Sequence, residues 1–229
     1  YSRSNFIFKN KKAFHCNLFN PKNNFCLEEM QGRCLIPGRN KIVWFKEKKI
    51  KKVNEAISFL DSSSFNYAHW MLEIIPKIYL FSKFNKNKNI VMLIDNNLHK
   101  NFYEILNLII KKNSRVIYVN KDECIYVNKL HIISSVGYSH HGPIIPSKKH
   151  KHGIYNHKVI KELSRFILNR IHKNLVNYNY KKIFLIRKTK KRNLINQKKL
   201  ENILQRKGFK IIDINKLNFY EQVKIFRNA

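Results

Sequence analysis

The densest run of reactive side chains is Asn66-Tyr67-Ala68-His69-Trp70-Met71-Leu72-Glu73, followed by Pro76 and Lys77. His69, Glu73 and Lys77 stand four apart, which puts them on one face of a helix. Imidazole is the side chain best suited to take a proton near neutral pH, and a carboxylate one turn away can orient its ring. With Asn66 as the N-cap, His69 falls in the first turn. There the positive end of the helix dipole disfavours imidazolium, while Glu73 favours it. The same spacing also describes a polar surface stripe, with Ala68, Leu72, Ile75 and Tyr79 as the apolar stripe facing inward. Pro76 is expected to kink this helix or divide it, because its ring clashes with the Leu72 carbonyl.

A second candidate is Arg187-Lys188-Thr189-Lys190-Lys191-Arg192, between an expected strand and an expected helix. Open α/β sheets bind ligands at such turns, and arginine forks suit a diphosphate. A solvated basic turn has the same composition. His140, His141, His150, His152 and His157 lack the regular spacing and nearby carboxylates of a metal site. No metal is expected there. There is no Asp-x-Asp pair, no Gly-x-x-x-x-Gly-Lys-Ser/Thr loop and no Gly-x-Ser-x-Gly elbow.

These candidates need elements to hold them. Residues 1–55 read as irregular strands and turns. Residues 90–94 form a continuous apolar strand, Leu98, Phe102, Ile105, Leu106 and Ile109 make a helical stripe, and 115–119 is a second strand, together one βαβ unit. Short strands are expected at 125–127 and 130–133, then a loop over 137–153. Val159, Leu163, Phe166, Ile167 and Ile171 share a helical face. A second series follows: strand 182–186, a helix capped by Asn196 with Leu200, Ile203 and Leu204 inward, Gly208 after it, and strand 209–214. Asn218 and Glu221 have capping-box spacing for a last helix with Phe219, Val223 and Phe226 inward. The pattern predicts an α/β fold of two Rossmann-like halves: an N-terminal domain over 1–150, then a linker helix and partial second domain over 151–229.

Composition sets outer bounds. A chain of 229 residues with 44% hydrophobic and 13% aromatic residues can bury a core. The net charge of +32 points toward polyanions or an anionic membrane surface, but its lysines are spread through runs such as Lys86-Asn87-Lys88-Asn89 and Lys48-Lys49-Ile50-Lys51-Lys52. The alternative this leaves open is a basic nucleic-acid-binding or polyanion-binding protein without catalysis. Cys16, Cys26, Cys34 and Cys124 lack the spacing of a zinc site and suit a reducing, cytoplasmic setting. No apolar run is long enough to span a bilayer. Tyr1 and Ala229 both read as cut ends.

The ordered set Asn66-Tyr67-Ala68-His69-Trp70-Met71-Leu72-Glu73 with Pro76, Ile186-Arg187 with Arg192 and Asn196, Gly208-Phe209, and Phe219-Tyr220-Glu221-Gln222 resembles the family-61 glycosyltransferases, which include bacterial capsular polysaccharide biosynthesis proteins. The resemblance implies a GT-B-like architecture, the second half incomplete. It implies an acceptor-binding first half, a nucleotide-sugar donor in the second, and hexosyl or pentosyl transfer to a cell-surface glycan or its lipid-linked precursor with inversion. It assigns catalysis to His69 and Glu73 and donor binding to Arg187, Arg192, Asn196 and Glu221, with no cofactor. The setting it implies is cytoplasmic, peripheral at the inner membrane face. Family members continue past the position of Ala229 into a Gly-rich turn near the donor, so the fragment alone is expected to turn over poorly.

Overall fold

A computed structural model of the protein describes residues 6–9, 12–15, 49–61, 63–87, 89–120, 123–139, 153–171, 180–186 and 193–227. By contacts the chain divides into two units, Tyr1–His99 with Ile109–Leu163, and Lys100–Leu108 with Ser164–Ala229.

The first unit is built on a four-stranded parallel sheet in the order β5-β4-β3-β6, from β3 (Lys49–Ser58), β4 (Val91–Asp95), β5 (Val116–Val119) and β6 (Glu123–His131). Before it in the chain, β1 (Phe6–Lys9) pairs antiparallel with β2 (Lys12–His15). Ala56, Val91, Leu93 and Val119 form a buried cluster across three adjacent strands, with Val53, Leu60 and Ile117 packed on it. β4 is buried along its whole length, as expected of an inner strand whose two faces are both covered.

The crossover from β3 to β4 is helical. A short helix α1 (Tyr67–His69) runs through a π-helical turn (Trp70–Ile74) into α2 (Ile75–Phe84). The Ile75 N–H bonds the Trp70 carbonyl, one residue further back than in an α-helix. Pro76, which has no N–H to give, then sits in the first turn of α2, where none is needed. The expected kink is therefore a π-turn.

β7 (Gly137–Ser139) pairs antiparallel with β8 (Gly153–Tyr155), which leads into α4 (His157–Ile171). The expected loop over 137–153 is thus strand at both ends, and 140–152 lie outside the described residues. The two short strands expected after residue 123 are one strand, because Asn128 between them donates across to Asn54 Oδ1 at 3.1 Å and stays in the sheet.

In the second unit, β9 (Ile183–Ile186), α5 (Gln197–Arg206) and β10 (Lys210–Asp213) form a βαβ unit with parallel strands. Gly208 takes φ +80 at the end of α5, the left-handed conformation predicted for it. α6 (Phe219–Arg227) begins with the expected capping box: Asn218 Oδ1 accepts the Glu221 N–H and Glu221 Oε2 accepts the Asn218 N–H, both at 2.8 Å. Glu104, on α3 (Lys100–Ile109), accepts the Phe219 N–H at 2.7 Å, and Asn101 donates to the Leu217 carbonyl at 3.0 Å.

Two inward assignments and one cap fail here. Ile203 and Phe226 are exposed at 43% and 47%, and Asn196 sits at the N-cap of α5 without a side-chain capping bond. On α6 the buried set is Phe219, Gln222 and Ile225, so its inner face advances by threes and turns Phe226 outward.

On the sheet, Glu123 opens β6, accepts the Asn120 N–H at 3.0 Å and pairs with Lys51 on β3 at 2.9 Å. The backbone N–H first and the ammonium second lower its pKa to about 2. A depressed carboxyl contributes stability that is complete above its unfolded value and is lost as pH falls through the folded one. Glu123→Gln should cost about 1–2 kcal/mol at neutral pH, the difference between a charged and a neutral acceptor. Thermal melts should show this gap closing between pH 4.5 and about 2. A gap independent of pH would refute the assignment.

Candidate active site

The carboxyl edge of the parallel sheet gathers the polar groups. β4 ends on Asp95, which is 0% exposed, and its Oδ2 accepts the Asp61 N–H at 3.0 Å. Asp61, also buried, accepts the Ser63 N–H through Oδ1 at 2.8 Å. The chain leaving β3 is thereby folded into a turn fixed to the end of the neighbouring strand. Asn96 and Asn120, which follow β4 and β5, join side chains at 2.8 Å along the same edge.

That turn delivers Asn66. Its Oδ1 accepts the Ala68 N–H at 2.9 Å and its carbonyl accepts the Trp70 N–H, so it caps α1 as predicted. His69 lies one turn in, and its Nδ1 is 2.8 Å from Glu73 Oε1. A carboxylate can only accept, so in the neutral ring this contact places the proton on Nδ1 and leaves Nε2 as the accepting nitrogen.

The surface-stripe alternative does not survive. His69, Glu73 and Lys77 are 8%, 2% and 8% exposed, whereas Ala68, expected inward, is exposed. The π-turn is the reason. One extra residue rotates everything after it relative to everything before, so an apolar stripe drawn with a single period misassigns the first turn.

Of the other expected site residues, Asn196 is exposed at the start of α5, and the Glu221 carboxylate is engaged in the α6 capping box. Arg187, Arg192, His140, His141, His150 and His152 lie outside the described residues. Asp61, Ser63, Ser64 and Asp95 were not among the sequence candidates. Their signal was an apolar run ending on Asp, seen in Leu93-Ile94-Asp95 and again in Phe59-Leu60-Asp61. Among the described residues no group of three His, Cys, Asp or Glu is placed to hold a metal ion, and no helix is long and apolar enough to cross a membrane.

β7 backs the π-turn. A side chain at Gly137 would overlap the Leu72 carbonyl oxygen and come within 2.7 Å of Tyr155 Cδ1. Gly137→Ala should destabilise the protein by about 1–3 kcal/mol, the usual cost of forcing atoms into a filled space. The measurement is the denaturant midpoint; an unchanged midpoint would mean that β7 does not support this helix.

A family model described as Glycosyltransferase 61 matches residues 67–229. No curated protein and no solved structure matches the chain at a significant level. The match opens on α1 and takes in His69, Glu73, Arg187, Arg192, Asn196 and Glu221, and over this majority of its length the chain belongs to the glycosyltransferase 61 family.

Proposed function

We propose that this chain transfers a hexosyl or pentosyl group, with inversion, from a nucleotide sugar to a cell-surface glycan or its lipid-linked precursor, as in bacterial capsular polysaccharide synthesis. The observation that carries the reading is the His69–Glu73 pair: a buried imidazole held at 2.8 Å by a buried carboxylate within the family-matched residues. In this reading Glu73 orients the ring and His69 Nε2 takes the proton of the acceptor hydroxyl as its oxygen attacks the anomeric carbon. The bond from that carbon to the diphosphate breaks, and the nucleoside diphosphate leaves with the electron pair. Arg187 and Arg192 neutralise the charge it gains, with no cofactor required.

The architecture we attach to this is GT-B-like. Two Rossmann-like halves divide the work, the acceptor going to residues 1–150 and the donor to 151–229, with Asn196 and Glu221 on the donor side. The setting is cytoplasmic, peripheral at the inner membrane face.

The test is turnover of nucleotide sugars by the full-length protein. His69→Ala should lower kcat by about 100- to 10,000-fold, the range for losing a general base. Arg187→Ala should weaken donor binding and slow transfer together. Glu73→Gln keeps an acceptor for Nδ1 and should cost less than His69→Ala. Full activity in both the His69 and the Arg187 variants would overturn the site.

A further inference from the structure

Two lysine-bearing turns distant in sequence border one cleft of about 250 Å³ at the amino-terminal edge of the sheet, the edge away from Asp61 and Asp95. One turn follows α2 and is braced by its own asparagines. Asn85 Nδ2 donates to the Asn87 carbonyl at 2.7 Å, and Asn85 Oδ1 and Asn87 Oδ1 accept the N–H groups of Asn87 and Asn89 at 3.1 and 2.9 Å. This turn carries Lys86. The other turn precedes β5, is closed by the Ser114 N–H on the Lys111 carbonyl at 2.9 Å, and carries Lys111 and Lys112. Lys111 Nζ donates to the Asn85 carbonyl at 2.9 Å and ties the two rims together.

Phe81, Ile90 and Met92 line the cleft, and no carboxylate does. Neither Lys86 nor Lys112 has an ion-pair partner among the described residues, and both are exposed. Lys86, Lys111 and Lys112 give the rim of the cleft a positive charge that attracts an anion. The apolar lining adds a second requirement, since bare phosphate gains nothing from Phe81 or Met92.

We propose that this cleft binds a phosphate group carried on an apolar stem, separate from the site of sugar transfer. Two sources have this chemistry: the headgroup region of an anionic bilayer, and a soluble aryl or alkyl phosphate. In the first case the cleft is where the protein meets the membrane.

The test uses the whole chain and needs no turnover. Wild type, Lys86→Glu/Lys112→Glu and the charge-matched control Lys198→Glu/Lys199→Glu on α5 are sedimented with phosphatidylcholine vesicles with and without phosphatidylglycerol. They are also titrated with phenyl phosphate by calorimetry, after melts confirm that all three fold. Lys111 is left intact because its ammonium holds the rim. Loss of roughly tenfold or more in vesicle binding by the cleft variant, with the control near wild type, supports the bilayer source. The same selective loss seen only with phenyl phosphate supports the soluble one. Equal losses in both variants would assign binding to overall charge, and absence of binding in both assays would leave no anion site; either result overturns the proposal.

Discussion

The turn between β3 and the His69 helix depends on one hydrogen bond, from the Asp61 N–H to the carboxylate of Asp95 at 3.0 Å. Parallel neighbours cannot be joined by a tight hairpin, so the chain must leave β3, cross over and return in the same direction as β4. Where it leaves is a matter of backbone accounting. Asp61 and Asp95 are almost fully buried, and a buried polar group left unsatisfied costs about 1–3 kcal/mol. The Phe59 N–H still reaches the Leu93 carbonyl, and the Asp95 carboxylate at the end of β4 then takes the Asp61 N–H, which fixes the point of departure. Asp61 then accepts the Ser63 N–H, Asn66 caps the helix, and His69 follows at a set distance along the chain.

The π-turn determines what that helix shows to the interior. A uniform α-helix carrying both an apolar stripe and the His69, Glu73, Lys77 row would bury the first and expose the second. With one extra residue in the turn Trp70–Ile74, Trp70, Ile74, Ile75 and Ile78 become fully buried while His69 and Glu73 are drawn in beside them. Pro76 and the π-turn belong together: the proline removes a donor just where the register changes, so the irregular turn leaves no amide of that residue unsatisfied. The His69–Glu73 pair is thus inside because the helix is irregular.

How much of this was legible follows from where the information lies. β4, α3, β9 and α5 are coded in single segments, by a continuous apolar run or one helical period, and the sequence reading found them. β3 was read as irregular because it is not coded alone. Lys51, Lys52 and Asn54 are exposed, and the strand becomes intelligible only beside β6, where Lys51 meets Glu123, Asn54 meets Asn128, and Glu55 meets Lys129 and His131. Both partners of Glu55 hold its carboxyl below the usual range, the Lys129 ammonium first. Such cross-strand pairs have no signature in a linear pattern. For the site, the His69–Glu73 spacing was visible, but its burial was not, since a phase shift of one residue cannot be read from a chain assumed to keep one period. Asp61 and Asp95 were passed over for a related reason: each acquires its role through the other, across a separation of 34 residues.

The family match sharpens this contrast. It begins at Tyr67, inside the capped turn, yet the strand that the site's sheet is built around, Lys49–Ser58, lies before it. β4 pairs with β3 through Ala56, Ile57 and Ser58, so the matched segment cannot complete its own sheet. A boundary placed by folding would have taken in β3. The matched range starts instead at the helix that carries His69 and Glu73 and leaves out the strand beside β4. β3 itself is lysine-rich, and the ion pairs that Lys51 and Glu55 make with β6 hold the part of the strand that apolar packing does not.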